Sequence, residues 1–281
     1  MIMSVPQEKR EKADVSVIIP VYNSGEEAFR AVSSIAAQTL LPREVILVDD
    51  CSPEVKSTRK WLDKITNQFN NQFSIKVLYQ IKNGGPGECR NAGWDIAEGK
   101  YIAFLDSDDI WHPQKLEIQY KFMIDHPDYG FSCHHLNVIH ENEIHTFYQK
   151  KMNIAEQDII QINPIRYLFK HYPIGGTSYV MAKNVSDIRF VPGKRYSEDY
   201  LVWLEFCFKY GGALINQFMG ASFKPFYGVG GLSQNLWKLE KGELENYKLL
   251  DQAGIISPGI AFLASGFSLI KFIRRVLITS F

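Results

Sequence analysis

Three carboxylates, Asp106, Asp108 and Asp109, fall within four positions directly after the apolar run Tyr101–Leu105 in YIAFLDSDDIWH. Packing gives no reason to drive a buried strand into like charges, and their mutual repulsion opposes it. Clustered carboxylates without a local basic partner suit a hard divalent cation. Mg2+ or Mn2+ takes one or two protein carboxylates and fills its other positions with water and phosphate oxygens. The bland alternative is a helix start rich in aspartate, with Pro113 soon after. Other apolar runs end in chemistry too: Tyr22 and Asn23 follow the first, Asp49 and Asp50 close the second, and a glycine loop, Asn83–Gly87, follows the third. An aspartate there could accept hydrogen bonds from a ribose or base, Tyr22 could stack on that base, and the glycine turn could approach the ligand. Each also has a plain reading: a strand-end aromatic for Tyr22, a turn for the glycines, a helix-surface arginine for Arg90.

The elements that must position these residues alternate. Val15–Pro20, Glu44–Asp50, Ile75–Gln80 and Tyr101–Leu105 are short β-branched or aromatic runs that read as buried strands. Between them, Ser24 can cap a helix whose inner face carries Phe29, Val32, Ile35 and Ala36. Ser52 and Pro53 read as N-cap and first position of a second helix with Val55, Leu62, Ile65 and Phe69 inward. A third helix starts near Pro86 and stops at Gly99. This order predicts an α/β fold with a mostly parallel central sheet and right-handed crossovers. In such sheets ligands bind beyond the carboxyl ends of the strands, so all of these groups converge on one edge.

After residue 109 the alternation stops. Pro113 opens a helix that ends before Pro127. GFSCHHLNVIHENEIHTFYQ reads as an antiparallel strand pair around a turn at Glu141–Glu143, and its histidines, His134, His135, His140 and His145, read as strand-surface or cleft residues rather than a zinc site. Pro173–Met181 reads as a loop and strand, and Tyr227–Ser233 as a glycine linker or a loop closing over a ligand. Ser197 can cap a helix closed by Gly211 and Gly212; read alone, Glu198 and Asp199 are its first-turn acids.

Net charge is zero, with 31 basic and 31 acidic residues among 281, so no nucleic-acid footprint is present. Cys51, Cys89, Cys133 and Cys207 form no C-x-x-C pair, which fits a reduced compartment. The first fourteen residues read as a frayed tail without a secretory signal. The stretch Ile255–Ile270 carries no charge, and Lys271, Arg274 and Arg275 follow it. It is broken by Pro258, Gly259, Ser265 and Gly266 and falls short of the ~20 residues of a span. It fits an amphipathic helix lying in a membrane interface; a helix packed on the protein's own core is the alternative.

VSVIIPVYNSGE, SIAAQTLLPREVILVDDCSPE, NGGPGECRNAGWDIAEGKYIAFLDSDDIWHPQKL and YSEDYLVWLEF together resemble family 2 glycosyltransferases of the GT-A fold. The resemblance covers Val15–Leu116 and returns at Glu198–Trp203. It implies a Rossmann-like nucleotide-sugar-binding half at 15–109, a smaller mixed acceptor half with the catalytic base at 110–232, and C-terminal helices at 233–281. Residue by residue, it places Pro20 and Tyr22 in the nucleotide segment and Asp50 on the base. Arg90 falls near the diphosphate and base, Asp106 toward the ribose, Asp108 on the metal and Asp199 as catalytic base. Gly85, Glu198 and Trp203 fall beside them. The implied activity is metal-dependent, inverting transfer from a nucleotide-diphosphate sugar, UDP most commonly. The acceptor would be a hydroxyl of a glycan or lipid-linked sugar in bacterial surface polysaccharide, O-antigen or capsule, made at the cytoplasmic face of the inner membrane. Asp199 poses a conflict: a helix N-terminus lowers its pKa, while burial beside Glu198 raises it. Two rivals are an inactive scaffold keeping the fold and a sugar-phosphate nucleotidylyltransferase. The latter wants a basic phosphate loop where PVYNSGEEAF is acidic.

Overall fold

Alternation of period two sets the two faces of the sheet. In the computed structural model, which describes residues 11–169, 174, 176–224 and 235–279, strand β1 (Lys12–Val21) turns Val15, Val17, Ile19 and Val21 to one core and Ile18 to the other. β1 starts earlier than the run Val15–Pro20, so Lys12–Asp14 belong to the sheet rather than to a tail. Strand β2 (Leu41–Asp49) repeats the alternation, with Val45 and Leu47 on the first face and Ile46 and Val48 on the second. Helix α1 (Gly25–Ala36) links them, and α2 (Val55–Phe69) leads to β3 (Ser74–Tyr79). Helix α3 (Pro86–Asp95) leads to β4 (Tyr101–Phe104). These four strands are parallel, in the order β3-β2-β1-β4.

Beyond β4 the sheet becomes mixed. Strand β5 (Asp109–Trp111), helix α4 (Lys115–Asp125) and strand β6 (Phe131–Val138) follow. Helix α5 (Ile144–Gln149), strand β7 (Ile159–Gln161), helix α6 (Pro164–Phe169) and strand β8 (Met181–Lys183) lead to helix α7 (Glu198–Tyr210) and strand β9 (Gly212–Ser222). β8 joins β4 antiparallel, and β6, β9 and β5 extend the same sheet. Two helices, α8 (Leu236–Gln252) and α9 (Pro258–Thr279), end the described chain. Helices α1, α2 and α4 cover one face; α3, α6, α7, α8 and α9 cover the other. The GT-A architecture expected from the sequence is the one observed.

Several local readings change. The segment read as a hairpin is a strand followed by a 3₁₀ turn at Glu141–Glu143 and helix α5. Its apolar residues Ile144, Phe147 and Tyr148 fit a helical spacing as well as a strand's, and they pack together with Ile139. The three serines read as helix caps send their hydroxyls elsewhere: Ser24 to Ser107, Ser52 to Asp49, and Ser197 to the Asn246 amide. Val55 is exposed rather than on the inner face of α2. Gly99 does not stop α3, which ends at Asp95. It lies where a Cβ would stand 2.5 Å from the backbone nitrogen of Ser16, letting its own N–H donate to Ser16 Oγ. Gly99→Ala must push the 96–99 segment off β1. The expected cost is about 1–3 kcal/mol in urea unfolding, without loss of ligand binding, because this contact lies at the amino ends of the strands.

Candidate active site

Register aligns the strand ends. Val21 faces Asp49, and Asp49 faces Tyr79, so β1, β2 and β3 finish in one row, with β4 beside β1. Pro20 and Tyr22 stand at the end of β1, Tyr22 being 53% exposed. Asn23, at positive φ, donates its N–H to Ser52 Oγ, which in turn donates to Asp49.

Asp50 is buried, and its carboxylate is largely used by the protein. Oδ1 accepts from Gly84 N at 2.8 Å; Oδ2 accepts from Gly85 N at 2.9 Å and from Asn83 Nδ2 at 2.9 Å. Gly85 takes φ +88°, in the left-handed region a side chain would resist, and precedes Pro86 at the start of α3. Asp50 therefore serves as the anion at this helix start, and the glycine loop turns its N–H groups to Asp50 rather than outward. The Cys89 thiol hydrogen-bonds to this carboxylate as well. Asn83 also accepts from Arg195 through Oδ1, so a single amide joins the end of β2 to the segment preceding α7.

Arg90, on α3, is the hub. Its Nη2 donates to Asp106 Oδ1 at 2.7 Å and its Nη1 to Glu198 Oε1 at 3.3 Å, with the guanidinium almost fully buried. Burial alone would lower the arginine's pKa, but Asp106 and Glu198, with Asp199 nearby, more than offset this and hold it above its usual value. Arg90, expected near the diphosphate and base, holds both terminal nitrogens on carboxylates in this structure. Glu198 is buried, and desolvation, then the charge of Asp199, push it up to about 7 against the pull of Arg90. Asp199 accepts from Tyr200 N at 2.8 Å. Desolvation raises its pKa more than Arg90 and the helix-start N–H groups lower it, so burial prevails over the helix N-terminus.

The acidic loop is not without basic partners. Asp106 has Arg90. Asp108 Oδ2 accepts from Lys224 Nζ at 2.8 Å, because β5 pairs with β9 and Asp109 stands opposite Ser222. Asp109 is buried, and desolvation followed by repulsion from Asp106 and Asp108 raises it well above the usual carboxylate range. The loop is pinned from below: Ser178 Oγ accepts from Asp106 N at 2.9 Å, and Ser178 O accepts from Trp111 Nε1 at 2.8 Å. Among the described residues, no group of three or more His, Cys, Asp and Glu side chains could hold a metal on its own. Asp106 Oδ2 and Asp108 Oδ1, however, have no protein donor among the described residues. That set fits a cation taking one or two carboxylates and the remainder from phosphate and water.

Other expected site residues fall elsewhere. Trp203 is a core residue, its ring 6.0 Å from Phe104 and 5.7 Å from Phe206, so it supports α7 rather than lining the edge. His134 is wholly buried, its Nδ1 donating to His135 O, not on a strand surface. Tyr227–Ser233, Pro173 and Gly175 lie outside the described residues. Sequence reading missed Lys224, Arg195 and Ser178, and it named Asn83 only as the start of the glycine loop. None of the three carries a motif, and each acts through a contact to a distant part of the chain.

The family model described as Glycosyl transferase family 2 matches residues 16–184, more than half of the chain, from β1 through β8. The chain belongs to glycosyltransferase family 2. Within the family it is 42% identical over 109 residues to an uncharacterized glycosyltransferase of Rickettsia felis, covering 39% of this chain and 17% of that protein. It is 38% identical over 112 residues to the putative teichuronic acid biosynthesis glycosyltransferase TuaG of Bacillus subtilis, covering 40% of this chain and 42% of TuaG. The chain thus spans less than half the length of these relatives. Its fold is similar to S. aureus TarS 1–349, with TM-score 0.64 at 19% identity, covering 91% of this chain and 70% of that one. A second TarS structure, in complex with UDP-GlcNAc, superposes at TM-score 0.62 and 19% identity over 84% of this chain and 66% of that one.

Proposed function

We propose that this family 2 chain moves a sugar, with inversion, from a nucleotide-diphosphate sugar to a hydroxyl of a glycan or lipid-linked acceptor in bacterial surface-polysaccharide assembly. The observation that carries the reading is Arg90, which joins the donor-side carboxylate Asp106 to the Glu198–Asp199 pair. Support for a uridine donor comes from the UDP-GlcNAc and UDP complexes of TarS; support for a polysaccharide product comes from the TuaG likeness.

In this account Tyr22 stacks on the base and Asp50, at the end of β2, contacts it. Asp106, its other oxygen held by Arg90, meets the ribose. The edge gathers Asp49, Asp50, Asp106, Asp108, Asp109, Glu198 and Asp199, and fewer cations, Arg90, Lys224 and Arg195 among them, stand with them. A diphosphate would be repelled there unless a cation came with it. Asp108 and Asp106 would hold Mg2+ or Mn2+, which when bound neutralises the leaving diphosphate. Lys224 and Arg195, both exposed, add positive charge beside it. Asp199 accepts the proton of the attacking hydroxyl, and its raised pKa suits that task better than an ordinary aspartate's.

Thermal unfolding with a panel of nucleoside diphosphates and nucleotide sugars, with and without Mn2+, tests this reading. One nucleotide is expected to stabilise the chain by ~2.7 kcal/mol at a hundredfold excess over its dissociation constant, only with metal, and Asp108→Asn is expected to abolish the effect. A folded wild type that no nucleotide stabilises would instead mark a scaffold that kept the fold.

A further inference from the structure

Helix α9 is packed the wrong way round for a helix that serves only the protein's own core. It buries its small residues: Ala261, Ala264 and Ser268 are at 9%, 0% and 0% exposure. Its large residues face outward: Phe262 is 79% exposed, Leu263 61%, Ile270 65%, Ile273 59% and Leu277 56%. With Gly266 and Leu269 these fall at spacings of three and four and make one continuous stripe. Contiguous exposure of this size marks an interaction surface rather than ordinary surface scatter.

Charge around the stripe is one-sided. From Ile255 to Thr279 there is no carboxylate, and Lys271, Arg274 and Arg275 stand toward the end. Helix α8 adds to the same region. Trp237 is half exposed, its ring 5.5 Å from Phe272, and Lys241 Nζ lies 5.4 Å above the indole. The acids of α8 nearest to α9 do not face outward: Glu240 is wholly buried, and Glu243 is buried and bonded to Lys271 at 2.8 Å and to Tyr247. The exposed acid of α8, Glu245, is paired with Lys194 at 2.7 Å, so beside the stripe these two helices show Trp237, Lys241 and Arg274.

We propose that this surface docks on an anionic phospholipid bilayer, with α9 lying in the interface. No helix among the described residues is long and apolar enough to cross a membrane, so α9 would lie along the surface, its stripe sunk about 5–10 Å into the headgroup and acyl boundary. Trp237 belongs at that depth, since an amphipathic ring favours the wet edge of the apolar layer. Lys241 and Arg274 reach the headgroups. The charge pattern also selects the occupant: a second copy of this chain packed stripe to stripe would bring Lys241 and Arg274 against their own kind, whereas anionic lipid pairs with them.

The test is co-flotation of the full chain with vesicles of phosphatidylcholine alone and of phosphatidylcholine with phosphatidylglycerol, with no nucleotide or acceptor. Binding is expected only to the anionic vesicles, weaker in high salt. The double variant Phe262→Glu, Ile270→Glu is expected to lose affinity by roughly a hundredfold or more, while its circular dichroism and nucleotide-induced stabilisation stay as in wild type. Lys241→Glu with Arg274→Glu is expected to abolish the preference for anionic lipid. Absence of binding by folded wild type, or binding the glutamates do not weaken, overturns the proposal. So does a wild-type dimer in light scattering that the glutamates convert to monomer, which would make the stripe an interface between copies. The nucleotide experiment succeeds or fails independently of all of these.

Discussion

Asp199→Asn is expected to lower kcat by roughly 10²–10⁴-fold, the usual contribution of a positioned general base, and to leave nucleotide affinity unchanged. Asparagine keeps the shape and can still accept from Tyr200 N, so the start of α7 stays formed; only the proton acceptor is lost. The pH profile carries a second signature. The base works deprotonated, and its pKa is raised by burial. At any given acid pH more of it is protonated than an ordinary aspartate would be, so activity falls at a higher pH on acidification. Glu198, at about 7, titrates with it as a pair, and the acid limb reports both groups. Initial rates from pH 5 to 9 on saturating donor would show this. An acid limb at the ordinary aspartate value, or an unimpaired Asp199→Asn, would remove Asp199 from the role.

Arg90→Met has the largest expected effect on stability. It leaves Glu198, Asp199 and Asp106 together with no cation between them. Removing one partner of a buried ion pair costs about 3–5 kcal/mol, and that loss is expected at pH 8. The sign of the pH dependence follows from the carboxylates. Glu198 already titrates above its unfolded value of 4.5, at about 7, so its charged form destabilises the fold above pH 7, and that penalty is relieved as pH falls toward 4.5. Without Arg90 the folded-state pKa values rise further, and protonation removes more of the repulsion. The loss in urea unfolding should therefore be clearly smaller at pH 5 than at pH 8. Equal losses at both would mean that Arg90 acts by packing alone. Arg90→Lys is not a rescue, because one ammonium cannot reach Asp106 and Glu198 in the fork geometry of a guanidinium.

The parallel half of the fold was legible because its strands are continuous apolar, largely β-branched runs, and β1, β2 and β4 are buried along almost their whole length. The same local signal failed at HHLNVIHENEIHTF, where apolar residues satisfy both periods and helix α5 formed instead of a strand. Ser24 and Ser197 stand at the N-cap positions, yet their hydroxyls found distant partners, which local pattern cannot foresee; Ser52 lies two residues before the N-cap of α2, Glu54, and bonds Asp49 instead. In the site, the carboxylates were visible because charge at a strand end is costly and therefore conspicuous. Their pairings were not. Arg90 was singled out by the family resemblance, but its contact with Glu198 spans 108 positions and that of Lys224 with Asp108 spans 116, and Lys224 does not stand out from the other basic residues until β9 brings it to the edge. Asp50 shows the reverse: its position was readable, but the carboxylate proves to hold the 83–85 loop as well as facing the edge.

The most direct measurement is amide hydrogen exchange of the wild-type chain with and without UDP-GlcNAc and Mn2+. The account predicts added protection at the carboxyl strand ends: around Tyr22–Ser24, Asp50–Ser52, Asn83–Gly87 and Asp106–Asp109. It predicts no change at the opposite edge around Gly99. Calorimetrically verified binding with protection away from those strand ends would contradict it.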